Sequence, residues 1–378
     1  MEKGHQRVVS CSGSPVDRGS QYGRGCKDLI SRLVQSHYSF YARNFHMDKD
    51  EVLREAKKYI PFIENYSLEI ADEIRGTAEG AEVSLQELVM VIAFPEMYYP
   101  RLFQHCTAFA VGGEATVDGE IYVGQNEDEA LDPWLNGECA VLVTVRRKDG
   151  PDVLTYTYAG VPSMKGMNSA GIAMCINAIT CEQSQLGVPS LVVTREALYQ
   201  RTIGDAIDAI VRAPRADSLN YVIADSNGEL CDIEATPKDY DLIYSDRMTV
   251  HANHFLSQRI KIEKDMVRNS SANTCIRFNR MRRLLEAEVG KIDLKFLMSV
   301  LRDHVNYPKS ICRHPSPTDP ERFQGKTLDS IIWVPAKKEA WLAKDPPCQG
   351  KYFQYGIDGK LIGKEQEDTP RMLVTQDH

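Results

Sequence analysis

The chain has 378 residues, a hydrophobic content of 43%, a charged content of 26% and a formal net charge of -8. This length allows one large domain or two ordinary ones, with a sizeable buried core. The acidic balance gives no sign of nucleic acid or an anionic membrane surface as a partner, since either requires a clustered basic face. Neither is therefore expected as a partner, and small-molecule chemistry is the expected class of function.

The chain also lacks the usual signals for membrane insertion or export. No apolar run approaches the roughly 20 residues of a membrane span, and no apolar signal core follows residues 1–7. A cytoplasmic location is therefore expected.

The cysteines show neither a Cys-x-x-Cys pair nor a Cys/His cluster with zinc-site spacing; they stand at positions 11, 26, 106, 139, 175, 181, 231, 275, 312 and 348. No metal site and no bound cofactor are expected from this spacing. Cys139, Cys175 and Cys231 lie in apolar stretches, where a reduced cysteine behaves as a small core residue.

The first quarter of the chain, from about residue 17 to 99, predicts helices. Apolar residues recur there with helical period, and Ser84 followed by Glu87 forms a capping box ahead of an apolar run. Pro95 and Pro100 then close the region.

From Cys106 onward the period changes to that of short strands. Strands are predicted over 107–111, 121–124, 140–145, 153–158 and 172–176, with Asp-Gly or Gly turns between them. Further along, the pattern predicts helices over 190–200, 204–211, 274–287 and 294–301, and strands over 221–224, 230–234 and 331–334. Strands and helices in blocks favour a layered α+β fold over a parallel βαβ arrangement.

Cys106 is the most informative residue of the chain, because it opens the first strand of this β-rich body. If the bond before it were cut, the released α-amine, with a pKa of about 8, could take the thiol proton at neutral pH. The alternative is an inert cysteine buried in a strand.

Six motifs, in this order along the chain, resemble those of the isopenicillin N acyltransferase family of N-terminal nucleophile hydrolases, which includes peptidase C45-like enzymes. They are Arg-Gly-Thr-Ala-Glu-Gly-Ala at 75–81, Cys-Thr-Ala-Phe at 106–109, Gly-Gln-Asn-Glu-Asp at 124–128, Asn-Ser-Ala-Gly-Ile at 168–172, His-Ala-Asn-His-Phe at 251–255 and Ser-Ser-Ala-Asn-Thr-Cys-Ile-Arg-Phe-Asn-Arg at 270–280. The resemblance covers roughly residues 15–335, and the ordered set is more specific than any one motif.

The resemblance implies a four-layer αββα sandwich that is made as a zymogen and cuts itself before the nucleophile. Residues 1–105 would then be a helical small subunit and residues 106–378 the large one, together forming one domain. It also implies transfer of acyl groups between thioesters and amines, or hydrolysis of linear amides, as in β-alanyl-amine hydrolases and, more distantly, bile-salt hydrolases and penicillin V acylases. The implied partners are a small N-acyl amine or acyl thioester and the chain's own cleaved small subunit, with acyl-CoA as a co-substrate; homo-oligomer formation stays open.

Three site residues follow from the resemblance. Cys106 would attack a carbonyl and carry the acyl group as a thioester. Asp128 would orient the new α-ammonium, and Arg277 would pair with that acid through charge-assisted hydrogen bonds. Arg280, one turn on, is the alternative arginine. Asp128 could instead be a solvated loop acid among Glu127, Glu129 and Asp132; of these four acids Asp128 matches the family pattern, and the other three are expected at the surface.

Two asparagines are candidates for stabilising the oxyanion. By resemblance, Asn253 would offer its side-chain amide, a contact whose loss typically costs about a hundredfold in rate. Asn177 is the second candidate, because it ends a strand that runs toward the same edge; it could equally be an asparagine in a turn.

The residue before the nucleophile departs from the family pattern. Relatives usually carry glycine there, because a missing Cβ permits the strained backbone that assists self-cleavage. His105 puts the rate of cleavage at the His105–Cys106 bond in doubt, although it could also assist as an acid or base.

Two other functions remain open at this level. Cys106 could form a papain-like pair with His251 or His254 in an uncut chain. Alternatively, the chain could be an unprocessed binding protein that keeps the fold. Whether water or an amine takes the acyl group also stays open, because that depends on the shape of the pocket.

Overall fold

The computed structural model describes residues 6–98, 106–130, 137–179, 184–260, 272–318 and 324–366. The helices in these ranges are α1 (Pro15–Gly25), α2 (Lys27–Phe45), α3 (Lys49–Lys57), α4 (Ile60–Tyr66), α5 (Leu68–Ala81), α6 (Leu85–Ile92), α7 (Phe94–Tyr98), α8 (Ser190–Leu198), α9 (Ile203–Val211), α10 (Ala272–Ala287) and α11 (Leu294–Leu301). The helical first quarter is therefore confirmed.

The strands are β1 (Arg7–Cys11), β2 (Thr107–Val111), β3 (Tyr122–Ala130), β4 (Ala140–Val145), β5 (Val153–Tyr158), β6 (Lys165–Asn168), β7 (Ile172–Ala178), β8 (Leu219–Asp225), β9 (Leu230–Ala235), β10 (Tyr240–Ser245), β11 (Met248–His251), β12 (Gly325–Val334), β13 (Glu339–Lys344), β14 (Phe353–Gly356) and β15 (Leu361–Lys364). Strand β1 was not predicted. It adds to the edge of a sheet by pairing in parallel with β4.

Local signals set several helix ends. The hydroxyl of Ser84 accepts from the Glu87 N–H, and the Glu87 carboxylate accepts from the Ser84 N–H, so the predicted capping box starts α6. The hydroxyl of Ser67 accepts from the Ile70 N–H and caps α5, which divides the apolar run from Ile60 to Ala78 into two helices.

Glycines bring α1 and α5 into close contact. A Cβ on Gly76 would lie 2.3 Å from the carbonyl oxygen of Val16, and a Cβ on Gly19 would lie 2.0 Å from that of Glu73. A larger residue would push the two helices apart. This contact accounts for the glycines of the motif at 75–81.

The strands form two sheets that pack face to face. The first has eight strands in the order β1-β4-β5-β6-β7-β8-β9-β10, and the second has seven in the order β11-β2-β3-β12-β13-β14-β15. Strands β2, β3 and β11 contact β7, β8 and β9 across the space between the sheets.

Helices cover both outer faces of the pair. α1, α8 and α9 contact strands of the first sheet, and α10 and α11 contact strands of the second. One apolar core includes the N-terminal helices and the inner strands, and a smaller one lies between the second sheet and its helices. The layers are thus α, β, β and α, which confirms the predicted α+β sandwich.

Within the described ranges, no helix combines the length and apolar character that crossing a membrane would require. The cytoplasmic location stays a prediction.

Candidate active site

Cys106 stands directly before β2, with its side chain in the space between the sheets. Strand β2 runs antiparallel to β3 with Thr107 opposite Asn126, so Cys106 lies opposite Glu127. Only 3% of Cys106 is exposed. Its Sγ donates a 3.5 Å hydrogen bond to Oε1 of Glu127.

Glu127 belongs to a buried group of charges behind the thiol. Its Oε2 accepts from Nζ of Lys165 at 2.8 Å and from Nε2 of Gln125 at 2.9 Å. The same Nζ lies 2.7 Å from Oδ1 of Asp329. Burial lowers the pKa of Lys165, but Asp329 and Glu127 outweigh it and raise that pKa overall, so the lysine stays charged.

The surroundings of Cys106 disfavour a thiolate in the uncut chain. Burial raises the pKa of the thiol well above its usual value, and the carboxylates of Glu127, Glu129 and Asp128 raise it further. For Cys106 to act as a nucleophile, the thiol would need a nearby positive charge or base.

Arg277, on α10, binds the backbone of this cysteine. Its Nη1 donates to the carbonyl oxygen of Cys106 at 2.6 Å and also to the hydroxyl of Thr107, while Nη2 donates to Oδ1 of Asn253 at 2.8 Å. The guanidinium is buried. One arginine thus joins the start of β2 to the segment after β11.

The sequence-based expectation that Arg277 hydrogen-bonds to Asp128 is wrong in this structure. Oδ1 of Asp128 accepts instead from the hydroxyl of Thr327 at 2.6 Å, and Oδ2 has no hydrogen-bond partner among the described residues. Arg277 acts on Asp128 through its charge, which lowers the pKa of the acid, but burial is the larger effect and raises that pKa to about 7. The guanidinium of Arg277 donates instead to the carbonyl oxygen of Cys106, the hydroxyl of Thr107 and Oδ1 of Asn253.

The alternative arginine has a different role. Nε and Nη2 of Arg280 bind Oδ2 of Asp303 at 3.0 and 2.7 Å. Of the two arginines, Arg277 is the one in contact with Cys106.

The two predicted amide donors lie next to each other. Nδ2 of Asn253 donates to the carbonyl oxygen of Ala178, the residue after Asn177, at 3.0 Å. Asn177 is completely buried, and its Nδ2 has no hydrogen-bond partner among the described residues. Its side chain points between the sheets, because Cys175, two residues earlier on the same face of β7, lies close to Trp333 of the opposite sheet. Asn177 therefore carries a free donor in the layer that holds the Cys106 thiol.

Neither His251 nor His254 pairs with Cys106. Nε2 of His251 lies 2.9 Å from Oε1 of Glu234, and its Nδ1 lies 2.7 Å from the carbonyl oxygen of Ala252. Nδ1 of His254 lies 2.9 Å from the hydroxyl of Thr274. Burial, together with the charges of His251 and Arg277, lowers the pKa of His254 to about 4. This arrangement gives no support to a papain-like Cys-His pair.

Some residues of the site were missed or misplaced by the sequence analysis. Glu127 and Glu129 are not acids of a surface loop, because β3 extends to Ala130 and buries both. Lys165 and Asp329 were not predicted at all. The available signal was a lysine between Met164 and Met167 and an aspartate next to Leu328, since a charge among apolar residues that becomes buried needs a partner.

His105, the residue before the predicted cut, lies outside the described residues. Its part in cleavage stays a prediction.

The αββα sandwich is the fold of the N-terminal nucleophile hydrolases, and Cys106 stands at the head of one of its inner strands. The family model for acyl-coenzyme A:6-aminopenicillanic acid acyl-transferase matches residues 115–349, more than half of the chain. The chain belongs to this family of acyltransferases and amidohydrolases. The matched range includes Asp128, Asn177, Asn253 and Arg277 but begins after Cys106.

A relative in Emericella nidulans, the 40 kDa form of acyl-coenzyme A:6-aminopenicillanic-acid-acyltransferase, is 25% identical over 333 residues, which are 86% of this chain and 88% of the relative. Among solved structures, a conjugated bile acid hydrolase of Clostridium perfringens has a TM-score of 0.48 at 13% identity, covering 70% of this chain and 97% of its own. Penicillin V acylase of Agrobacterium tumefaciens has a TM-score of 0.46 at 12% identity, covering 66% of this chain and 86% of its own.

Proposed function

We propose that this chain cuts itself between His105 and Cys106 and then uses Cys106 to transfer or hydrolyse the acyl groups of small N-acyl amines or acyl thioesters. Acyl-CoA would serve as a co-substrate, and the reaction would need no bound cofactor. The observation that carries the proposal is the placement of Cys106: its thiol is buried, and its carbonyl oxygen accepts from Arg277, which also holds Asn253.

In the cleavage step, Sγ of Cys106 attacks the carbonyl carbon of His105. The peptide C–N bond breaks as the thioester C–S bond forms, and the thiol proton passes to the nitrogen, which becomes the free α-amine. Water then hydrolyses the thioester, leaving a carboxylate on His105 and a thiol on Cys106. The hydrogen bond from Arg277 supports this step by holding the Cys106 backbone in place.

After the cut, the acids near Cys106 take on a new role. Glu127, Asp128 and Glu129 raise the thiol pKa because they disfavour a negative charge there. The same charges stabilise a positive α-ammonium, and this cation would in turn lower the pKa of the adjacent thiol. The resulting thiolate lies beside a cation and becomes a competent nucleophile.

In each turnover, the thiolate attacks the acyl carbonyl, and Nδ2 of Asn177 and Asn253 would donate to the oxyanion. The α-ammonium returns its proton to the departing group, leaving an acyl thioester on Cys106. Water or an amine then attacks the thioester and frees the thiol. The structural support is that Asn253 is fixed by Arg277 and Ala178, while the Asn177 donor has no other described partner.

Mass spectrometry of the purified full chain tests the proposal. We expect two polypeptides, the larger starting at Cys106, and a single uncut chain for Cys106→Ala. Cys275→Ala is the matched control, because Cys275 is an exposed cysteine on α10; this variant should be cut and active. An intact wild-type chain whose Cys106 resists alkylation would overturn the proposal and favour the unprocessed binding protein.

A panel of N-acyl amides and acyl-CoA thioesters, assayed with and without added amines, would define the reaction. Acyl-amine product that increases with amine concentration indicates transfer. Free acid independent of the amine indicates hydrolysis. No turnover by fully cut protein across the panel would contradict the proposed substrate class.

A further inference from the structure

Four metal-binding side chains meet at one end of the second sheet. His304 follows α11, Cys312 and His314 lie in the segment before β12, and Cys348 lies in the 3-10 turn Pro347–Gln349. One ligand atom from each residue lies within 4.8 Å of all the others. We propose that these residues form a structural zinc site.

The distances fit a tetrahedral ion. Nε2 of His314 lies 3.2 Å from Nε2 of His304, 3.6 Å from Sγ of Cys312 and 3.3 Å from Sγ of Cys348. Zinc bonds of about 2.0 Å to nitrogen and about 2.3 Å to sulfur give a tetrahedron with edges of about 3.3 to 3.8 Å. The three distances from His314 are close to these edges, and all four ligand atoms lie within 4.8 Å of one another.

Hydrogen bonds alone do not account for the arrangement. Nε2 of His314 carries either one hydrogen or one lone pair, so it cannot bond to three partners at once. His304, Cys312 and Cys348 all approach this one atom. A shared ion would satisfy all four side chains together.

The donor set also selects the metal. Two thiolates and two imidazoles are a common ligand set for zinc, and four protein ligands leave no open position for a catalytic water. Two Zn–S and two Zn–N bonds form, and two thiol protons leave to solvent. Two thiolates neutralise the charge of the ion.

The segments that carry the ligands are held by their own hydrogen bonds. The Cys312 N–H donates to the carbonyl oxygen of Asp303 at 3.0 Å. Nε of Arg302, the residue before Asp303, donates to the carbonyl oxygen of Pro347 at 2.8 Å, next to Cys348. The site is therefore preorganised, which reduces the entropy cost of binding the ion.

The site would also support Asp128. Arg313, between two of the ligands, donates its N–H to the hydroxyl of Thr327 at 2.8 Å and accepts from the Thr327 N–H at 3.1 Å. The same hydroxyl donates to Asp128 at 2.6 Å. Zinc would fix the segment that positions this hydroxyl.

The spacing of cysteines and histidines along the chain predicted no metal site, because these four ligands do not follow a known zinc-site spacing. Only Cys312 and His314 are close in sequence, and Cys348 lies 34 residues beyond His314. The proposed site departs from that expectation, because the pairing of β12 with β13 brings Cys348 back to the other ligands.

The test is the zinc content of the tag-free full chain, produced in zinc-supplemented medium and dialysed. We expect about one zinc per chain for wild type and for Cys275→Ser, and at least a tenfold loss for Cys348→Ser and for His304→Ala. Cys106→Ala should keep the metal, which separates this site from the nucleophile. The result does not depend on enzymatic activity or on self-cleavage.

Cobalt substitution gives a second readout. Wild-type protein refilled with Co²⁺ should show the intense visible bands of tetrahedral cobalt and a thiolate charge-transfer band, both absent from folded Cys348→Ser protein. Chelator should lower the Tm of wild type but not of that variant. Metal-free wild type without cobalt bands, zinc that survives both substitutions, or a Cys312–Cys348 disulfide in unreduced protein would each overturn the proposal.

Discussion

The guanidinium of Arg277 donates a 2.6 Å hydrogen bond to the carbonyl oxygen of Cys106, and its other end donates to Asn253. A residue of α10 thereby holds both the proposed nucleophile and a proposed oxyanion donor. Lysine cannot reproduce this geometry, because an ammonium lacks the planar fork that serves separate acceptors.

Arg277→Lys should lower kcat/KM by about 10- to 100-fold, since each buried acceptor left without a donor costs about 1–3 kcal/mol. The folded fraction should be checked by circular dichroism. Arg280→Lys is the matched control, because Arg280 pairs with Asp303 one turn along the same helix; it should keep nearly full activity. Equal losses in both variants would argue against a specific role for Arg277.

Asn177→Ala should reduce kcat by about a hundredfold with little change in KM, because an oxyanion donor acts mainly in the transition state. Its unfolding free energy should fall by only about 1 kcal/mol, since Nδ2 of Asn177 has no described partner and Oδ1 accepts only a 3.4 Å hydrogen bond from Asn220. Asn253→Ala should lose both activity and stability, because Asn253 also binds Arg277 and Ala178. Asn44→Ala, at an exposed position of α2, is the control. A rise in KM at constant kcat for Asn177→Ala would contradict the oxyanion role.

The buried carboxyl of Asp128 predicts a pH dependence of stability in the uncut chain. Burial raises its pKa from 3.8 to about 7. Between these values the folded chain keeps a proton that the unfolded chain has lost, so stability falls as pH rises through this window and levels off above about 7. Asp128→Asn removes the effect.

The quantity to measure is the unfolding free energy of Cys106→Ala minus that of Cys106→Ala/Asp128→Asn. We expect this difference to fall by up to about 4 kcal/mol between pH 4 and 7. Urea unfolding at several pH values measures this difference. The cut protein should show a smaller change, because the α-ammonium would lower the pKa of Asp128. A difference that does not vary with pH in the uncut pair would contradict the prediction.

Lys165→Met should destabilise the protein by about 3–5 kcal/mol, because it leaves Glu127 and Asp329 as unpaired buried acids. Adding Asp329→Asn should recover part of the loss, since one of the two acids is then neutral. Lys337→Met is the control: this half-exposed lysine pairs with Glu120 at 3.3 Å, and its loss should cost about 0–1 kcal/mol. Chemical denaturation of each variant provides the comparison. Similar costs at both lysines would mean that the buried cluster is not held by charge.

Local patterns accounted for much of the fold. The helical period of the first quarter, the Ser84–Glu87 capping box and the turns between short strands depend on residues a few positions apart, and the structure contains each of them. The position of Cys106 at the start of a strand was visible for the same reason. The ordered motifs then indicated the family, because their residue types and their order along the chain can be compared directly with those of the family.

The hydrogen bonds and ion pairs of the site join parts of the chain that are distant in sequence. Arg277 reaches Cys106 across 171 residues, and Lys165 reaches Glu127 across 38. Sequence spacing contains no distance of this kind, so it predicted an Arg277–Asp128 hydrogen bond and placed Glu127 on the surface. Sheet register decides these points: alternation along β3 turns Glu127 toward Lys165 and Asp128 toward Thr327. The sequence alone thus indicated the proposed nucleophile, Cys106, and the layers of the fold. The packing of the two sheets determined which charged residues surround that cysteine.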